Sequence, residues 1–331
     1  MENGTKQHII QKRKIKSRRR RLKIGRLFVF LLILGLIGWC IYRLCLWGNQ
    51  TYQTYYAIYE NYQLQQELKQ AKSPDLRYDD YTNILVLGID EGTGSEIGQR
   101  ADTIILLSID DKDGKMRVLS IPRNTLLVLP GRQKEERINA SYYYGGAPLS
   151  VQAVSKLLNG ITIHQYITIN VSALTELIDV LGGIDIYVEN DMNYEDPDAD
   201  FQIHLQKGYQ HLNGTMAQEY LRYRGDELGD IGRVQRQQRF VKKLYKKIQS
   251  IDTIIKLPAL IDILRYRMAT SVELMDTAHL IKIIKGLSAD TPKTYMLPGS
   301  LTANGVDWVA DKAGIEAEID ELFPAPKEVS K

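Results

Sequence analysis

The chain opens polar, becomes strongly apolar once, turns polar again, and then alternates short apolar runs with polar loops. The first apolar run, "LFVFLLILGLIGWCIY" (Leu27 to Tyr42), carries no charge; Arg43 interrupts it and Leu44–Trp47 resumes. Taken as a helix, Leu27–Trp47 would be about 31 Å long at ~1.5 Å per residue, close to the thickness of a hydrocarbon core. Arg43 lies near its end, where a long side chain can reach the headgroups. No small-residue cleavage site follows, which favours a retained anchor over a removed signal peptide. Bulky Trp39 before Cys40 argues against a lipoprotein.

After the anchor, Tyr52, Tyr55, Tyr56, Tyr59 and Tyr62 recur at helical spacing, which predicts a stalk helix. "KSPDLRYDDY" breaks it. The folded body then begins with "NILVLGID", a continuous apolar run of the kind found in buried strands. "DTIILLSID" and "KMRVLSIPR", joined by "DKDG", read as a hairpin. "APLSVQAVSKLLNG" reads as a helix ending at Gly160, "QYITIN" as a strand, "VSALTELIDVLGG" as a helix and "IDIYV" as a strand. Further helices are predicted near Thr253–Tyr266 and Leu274–Leu287, and a strand at "TYMLPG". Strands alternating with helices predict an α/β domain, and hairpins beside helical crossovers predict a mixed sheet.

Charge separates the two ends of the chain. Residues 1–26 hold eleven Lys/Arg and one acid, a net of +10, so with +3 overall the remainder carries −7. Dense Lys/Arg ahead of a single span places the N-terminus in the cytoplasm and the body outside. Topology therefore accounts for the basic tail without nucleic acid. The only cysteines, Cys40 and Cys45, fall in the apolar segment, so the body has no disulfide and no thiolate metal site.

Several familiar motifs fail on inspection. "GIDEGTGSEIG" lacks the Gly-Lys-Ser/Thr of a phosphate loop and the spacing of a dinucleotide fingerprint. The histidines form no zinc pattern, and no G-x-S-x-G elbow occurs. What remains is a polar set at strand ends: Asp90 after the first strand, Arg100 and Asp102 at the second, Arg123 after the third, and Arg137 and Asn139 in "EERINASYYYGG". "YLRYRGDELGDIGRVQRQQRF" adds five arginines. Alternation in "EYLRYRG" predicts a strand with Arg222 and Arg224 on one face. Asp230 is a candidate N-cap for a following helix, on which Arg233 and Gln237 share a face while Arg236 and Arg239 turn elsewhere. Guanidinium forks suit phosphate oxygens, and carboxylates beside them become useful when a divalent cation bridges them to the anion. The pattern points to a metal–pyrophosphate site.

On these residues the chain resembles the LytR–CpsA–Psr family of bacterial cell-wall ligases. The matching pieces are "NILVLGID", "RADTIILLSID", "VLSIPRN", "RINASYYYGG", "LGGIDIYV", "KGYQHLNGTMAQEYLRYR" and "DIGRVQRQQ", in family order from Asn83 to Gln238. The resemblance implies an α/β/α sandwich with a central mixed sheet, preceded by one transmembrane helix. It also implies transfer of a glycopolymer, of the teichoic acid or capsular polysaccharide class, from polyprenyl pyrophosphate to peptidoglycan as a phosphodiester. The cofactor implied is Mg2+, with Mn2+ as a substitute. Carried over by residue, Asp90 and Asp102 would hold the metal. Arg100, Arg123, Arg222, Arg224, Arg233 and Gln237 would surround the pyrophosphate, with Asp102, Arg100, Arg123 and Arg224 catalytic and Asp230, Asn139 and Arg137 supporting. Asn124 stands where the family often has Asp, and Arg137 where it often has Lys.

The predicted organisation is a cytoplasmic tail (1–26), an anchor (27–47), an extracellular stalk (48–81), the catalytic domain (82–325) and a short tail (326–331). The partners expected are the lipid-linked glycan, peptidoglycan and membrane lipid, with no nucleic acid and an open oligomeric state. The rival readings are a polyprenyl-pyrophosphate phosphatase, a non-catalytic lipid- or glycan-binding protein and a membrane-tethered regulator.

Overall fold

The computed structural model describes residues 32, 34–39, 41–46, 48, 78, 80–89, 99–196, 201–225, 229–271 and 277–324. The basic tail, nearly all of the predicted stalk and Asp90 lie outside the described residues. Residues 32–48, where described, are helical. Among the described residues no helix is long and apolar enough to cross a membrane.

The body is a mixed α/β fold around a six-stranded sheet. Three strands form its centre: β1 (Tyr81–Ile89), β2 (Ala101–Asp110) and β3 (Met116–Ile121). β1 pairs antiparallel with β2, and β2 with β3. β6 (Gln165–Asn170) runs parallel to β1 on one side, and β12 (Lys293–Met296) parallel to β3 on the other. The two-residue β11 (Ala269–Thr270) closes the β6 edge. Four small pairs stand outside the sheet: β4 (Leu126–Val128) with β5 (Glu135–Arg137), β7 (Ile184–Val188) with β10 (Gly208–Leu212), β8 (Met192–Asp196) with β9 (Phe201–Leu205), and β13 (Gly299–Leu301) with β14 (Trp308–Ala310).

Register explains why the central runs are apolar on both sides. Leu85, Leu106 and Leu119 stand opposite one another, as do Leu87, Ile104 and Ile121. This face is covered by Val151, Val154 and Leu158, from helix α1 (Ala140–Leu157) and its cap, and by Ile315, Ile319 and Leu322 of helix α7 (Lys312–Leu322). Tyr78 and Tyr81 pack edge-on against Phe323, at 4.8 and 5.0 Å between ring centres. On β6, Ile167 and Ile169 join Ala173, Ile263 and Met268, from helices α2 (Val171–Leu181) and α5 (Ile251–Tyr266) and the residues after α5. Strands enclosed by helices on both faces lose the alternation of a half-exposed sheet.

Helix α2 is capped by the Asn170 side chain and closed by Gly182 at φ 80°, a left-handed position that glycine takes without strain. Helix α1 starts earlier than its apolar pattern predicts, because "ASYYY" adds a turn before a kink at Gly145–Gly146. The remaining helices are α3 (Gly214–Arg222), α4 (Gly229–Ile248) and α6 (Thr277–Gly286).

One expectation is overturned. "EYLRYRG" is not a strand: Glu219–Arg222 form the last turn of α3, and Tyr223–Gly225 are neither helix nor strand. The helix is capped by Asn213, whose side chain accepts from the Met216 amide at 2.9 Å. That cap precedes the stretch in which four residues happened to alternate, and a short alternation cannot outweigh a capped helix already under way.

Candidate active site

The site gathers along one edge of the central sheet. Since β2 runs antiparallel to both neighbours, the end of β1, the start of β2 and the end of β3 fall together. Asp102 is the second residue of β2. Arg123 follows β3 in a turn where the Thr125 amide and hydroxyl both bond the Pro122 carbonyl, at 3.0 and 2.6 Å. The Asn139 amide donates to the Arg123 carbonyl at 3.1 Å, so Asn139 supports Arg123 through the backbone.

Three arginines from three segments converge on two carboxylates. Asp102 Oδ2 accepts from Arg123 Nη1 at 2.7 Å and from Arg224 Nη2 at 3.2 Å. Asp230 lies 3.2 Å from Arg233, 3.6 Å from Arg123 and 3.8 Å from Arg224. Asp230 sits inside the first turn of α4 rather than ahead of it, so it pairs with arginines from within the helix. Gln237, buried one turn beyond Arg233, donates to Thr103 Oγ1 at 2.8 Å. Thr103 stands opposite Gly88, where a Cβ would lie only 2.8 Å from the Thr103 Cβ. Glycine at 88 therefore makes room for the residue that holds Gln237.

The electrostatics follow from this crowding. Burial alone would raise the Asp102 carboxyl, but the Arg123 hydrogen bond and the charges of Arg123, Arg233 and Arg224 hold it below the usual carboxylate range. Arg233 is 4% exposed. Burial first, and then the like charge of Arg224, push its guanidinium down to about 10. Arg224 is lowered by burial and by Arg123, with Asp230 and Asp102 opposing. Three guanidinium groups facing two carboxylates leave one positive charge over, at a place where a base-like charge is already strained. Such a cluster can take an anion.

Other expected residues stand apart. Arg100 is exposed, two positions before Asp102, and within electrostatic reach of Glu136. Arg137 pairs with Asp307 at 2.6 Å. Arg222 ends α3 and does not share a strand face with Arg224. Asp90 lies outside the described residues. Asn124 is buried and donates its side-chain amide to the Val306 carbonyl, which a carboxylate could not do. The departure from Asp therefore has a structural use. Of the arginines expected to turn elsewhere, Arg236 is wholly buried and Arg239 reaches Glu189 and Tyr220.

Among the described residues no group of three or more His, Cys, Asp or Glu could hold a metal. Both arginine bonds to Asp102 fall on Oδ2, so Oδ1 keeps lone pairs for a cation. One carboxylate oxygen is a donor set that would fit a hard cation such as magnesium, which keeps water or anion oxygens in its shell, better than a metal needing a full protein cage.

Thr103, Glu189 and Asp307 were not foreseen. Nothing in one sequence links positions as distant as 137 and 307.

The profile of the LytR_cpsA_psr family matches residues 46–322. The chain belongs to the LytR–CpsA–Psr family. Similar family proteins include the TagU polyisoprenyl-teichoic acid–peptidoglycan teichoic acid transferase of Bacillus cereus, 36% identical over 183 residues, 55% of either chain. The Oceanobacillus iheyensis protein of that name is 33% identical over 234 residues, covering 69% of this chain and 70% of its own. The chain spans 55% and 62% of the B. cereus and Enterococcus faecalis relatives, less than two thirds of each. In three dimensions it is similar to the crystal structure of Bacillus subtilis TagV (TM-score 0.63, 28% identity, 75% of this chain and 98% of that one). A Streptococcus agalactiae protein superposes with TM-score 0.66 at 25% identity, covering 77% and 92%.

Proposed function

We propose that this protein is a membrane-anchored phosphotransferase that moves a glycopolymer from polyprenyl pyrophosphate to peptidoglycan. The observation that carries the reading is the convergence of Arg123, Arg224 and Arg233 on Asp102 and Asp230, an anion site with one positive charge to spare. Relatives named as teichoic acid transferases support the substrate class. Helices on both faces of the sheet support the α/β/α sandwich; the apolar run at 27–47 supports an anchor, and the basic tail ahead of it supports a body outside the cell.

The arginines bind the pyrophosphate oxygens and orient the glycan-side phosphorus. A peptidoglycan hydroxyl oxygen bonds to that phosphorus, the phosphoanhydride P–O bond breaks, polyprenyl phosphate leaves with the electron pair, and the hydroxyl proton passes to that phosphate or to water. Asp102, with Asp90, would hold magnesium, which supplies charge neutralisation to the leaving phosphate. Asp230 keeps Arg233 and Arg224 directed at the same point. An anchor keeps the site near its lipid substrate and raises the effective concentration.

The test is to incubate the full chain with magnesium, polyprenyl-pyrophosphate glycans and peptidoglycan fragments. Glycan joined to the acceptor through phosphate is expected, with loss in Asp102→Ala. Phosphate release without an acceptor would identify a phosphatase, and the absence of turnover with every donor would overturn the enzymatic reading.

A further inference from the structure

Arg224 hangs from a segment that is neither helix nor strand, so its direction must be fixed by other means. Helix α3 ends at Arg222, and Tyr223 turns extended with φ −57° and ψ 136°. The Tyr223 amide still donates to the Glu219 carbonyl at 3.0 Å. Its carbonyl accepts from the Arg236 guanidinium. That carbonyl belongs to the planar peptide unit that also contains the Arg224 nitrogen, so the bond sets the plane from which Arg224 departs. The same guanidinium lies over the Tyr223 ring, 5.3 Å from its centre. The ring also packs against Gly225, where a Cβ would fall 2.6 Å from the Tyr223 hydroxyl.

Arg236 is 1% exposed and needs a counter-charge to remain so. Glu189, just beyond β7, provides it: its Oε1 lies 3.7 Å from Arg236 Nη1. That oxygen also accepts from Arg239, and Oε2 accepts from the Tyr220 hydroxyl at 3.1 Å. One carboxylate therefore ties the end of β7 to α3 and α4, the two helices that flank the Tyr223–Arg224 segment.

We propose that Glu189 and Arg236 are positioning residues for Arg224: Glu189 keeps Arg236 buried, and Arg236 clamps the Tyr223 peptide so that Arg224 meets Asp102 and the incoming pyrophosphate. The inference rests on the pyrophosphate reading of the site. Neither residue touches the substrate. Their effect on binding passes through Arg224 and disappears when Arg224 is removed.

A double-mutant cycle tests this, using the full chain and geranylgeranyl pyrophosphate as the probe, with affinity read by calorimetry. Glu189→Gln is expected to weaken binding by about tenfold in the otherwise native chain and to have almost no effect in Arg224→Ala. An equal loss in both backgrounds would mean general destabilisation and would overturn the proposal, as would no loss in either. If Glu189→Gln does not fold, Arg239→Gln, which loosens the same carboxylate from its more exposed side, is expected to give a smaller loss with the same dependence on Arg224. Failure of the native chain to bind the probe would overturn the pyrophosphate reading and this inference with it. Binding by the native chain without the coupling would overturn the inference alone.

Discussion

Replacing Arg233 by methionine should make the protein more stable while depriving it of its anion. Folding buries this guanidinium beside Arg224 and lowers its pKa from the ordinary guanidinium range to about 10. Each unit is worth about 1.4 kcal/mol, so the charged form is penalised by roughly 3 kcal/mol in the fold. The sign follows from proton binding. A base whose pKa falls on folding holds its proton less tightly in the folded chain, so the penalty is complete at every pH below about 10 and fades only above it. Methionine fills a similar volume without the charge, and Asp230 retains Arg123 and Arg224. The attraction of Asp230, 3.2 Å away, is already contained in that value, so what offsets the gain is the lost packing and hydrogen bonding of the guanidinium, leaving a net stabilisation of about 1 to 3 kcal/mol. At this domain size that is roughly 2 to 4 °C in Tm per kcal/mol. Differential scanning calorimetry at neutral pH, with and without inorganic pyrophosphate, provides the assay. The native chain should gain Tm on adding pyrophosphate, and Arg233→Met should start higher and gain little. A variant that is less stable and still responds fully to pyrophosphate would refute the argument that Arg233 is a strained anion ligand.

Three further outcomes follow from the same geometry. Asp102 has a depressed pKa, so its contribution to stability is present above the ordinary carboxylate value of about 4 and is lost as pH falls through the lower folded value; Asp102→Asn should flatten the acid limb of the urea midpoint plotted against pH. Asn124→Asp replaces a buried donor with an acceptor facing the Val306 carbonyl and should cost about 1 to 3 kcal/mol in urea unfolding, whereas unchanged stability would argue against that hydrogen bond. Gln237→Leu removes the bond to Thr103 and should lower stability by about 1 kcal/mol while weakening pyrophosphate binding through the displaced Arg233 turn of α4.

The sheet was legible because its strands are enclosed and continuously apolar, and because "DKDG" marks the hairpin between β2 and β3. Asp102 and Arg123 could be placed at one sheet edge for the same reason, since an antiparallel hairpin brings the start of one strand to the end of the next. Arg224 does lie beside Asp102, but not on the strand that its alternation predicts. Four alternating residues suggested a strand, while Asn213, seven residues before Tyr220, had already committed the chain to a helix. The Glu189 clamp and the Arg137–Asp307 pair were out of reach because each joins distant segments through side chains, and a single sequence records no pairing at such range. Asn124 was noted as a departure, but only its bond to Val306 shows what the amide accomplishes.

The parallel pairing of β12 with β3 bears on the order in which this protein can be built. β1, β2 and β3 form a local meander that can assemble as soon as residue 121 is available. Until Lys293–Met296 arrive, β3 is an open edge with unpaired amides and carbonyls, and Ser120 lacks the Leu297 amide that later bonds its carbonyl at 2.9 Å. An open edge beside an apolar row such as Leu119 and Ile121 is a template for pairing between chains. The interval is set by the longest sequence separation in the sheet, which is the kind of contact that forms slowly. A chain interrupted before residue 293 would contain Asp102, Arg123, Arg224 and Arg233 and yet be prone to aggregate through β3, so the last strand to join protects a site to which it contributes no ligand.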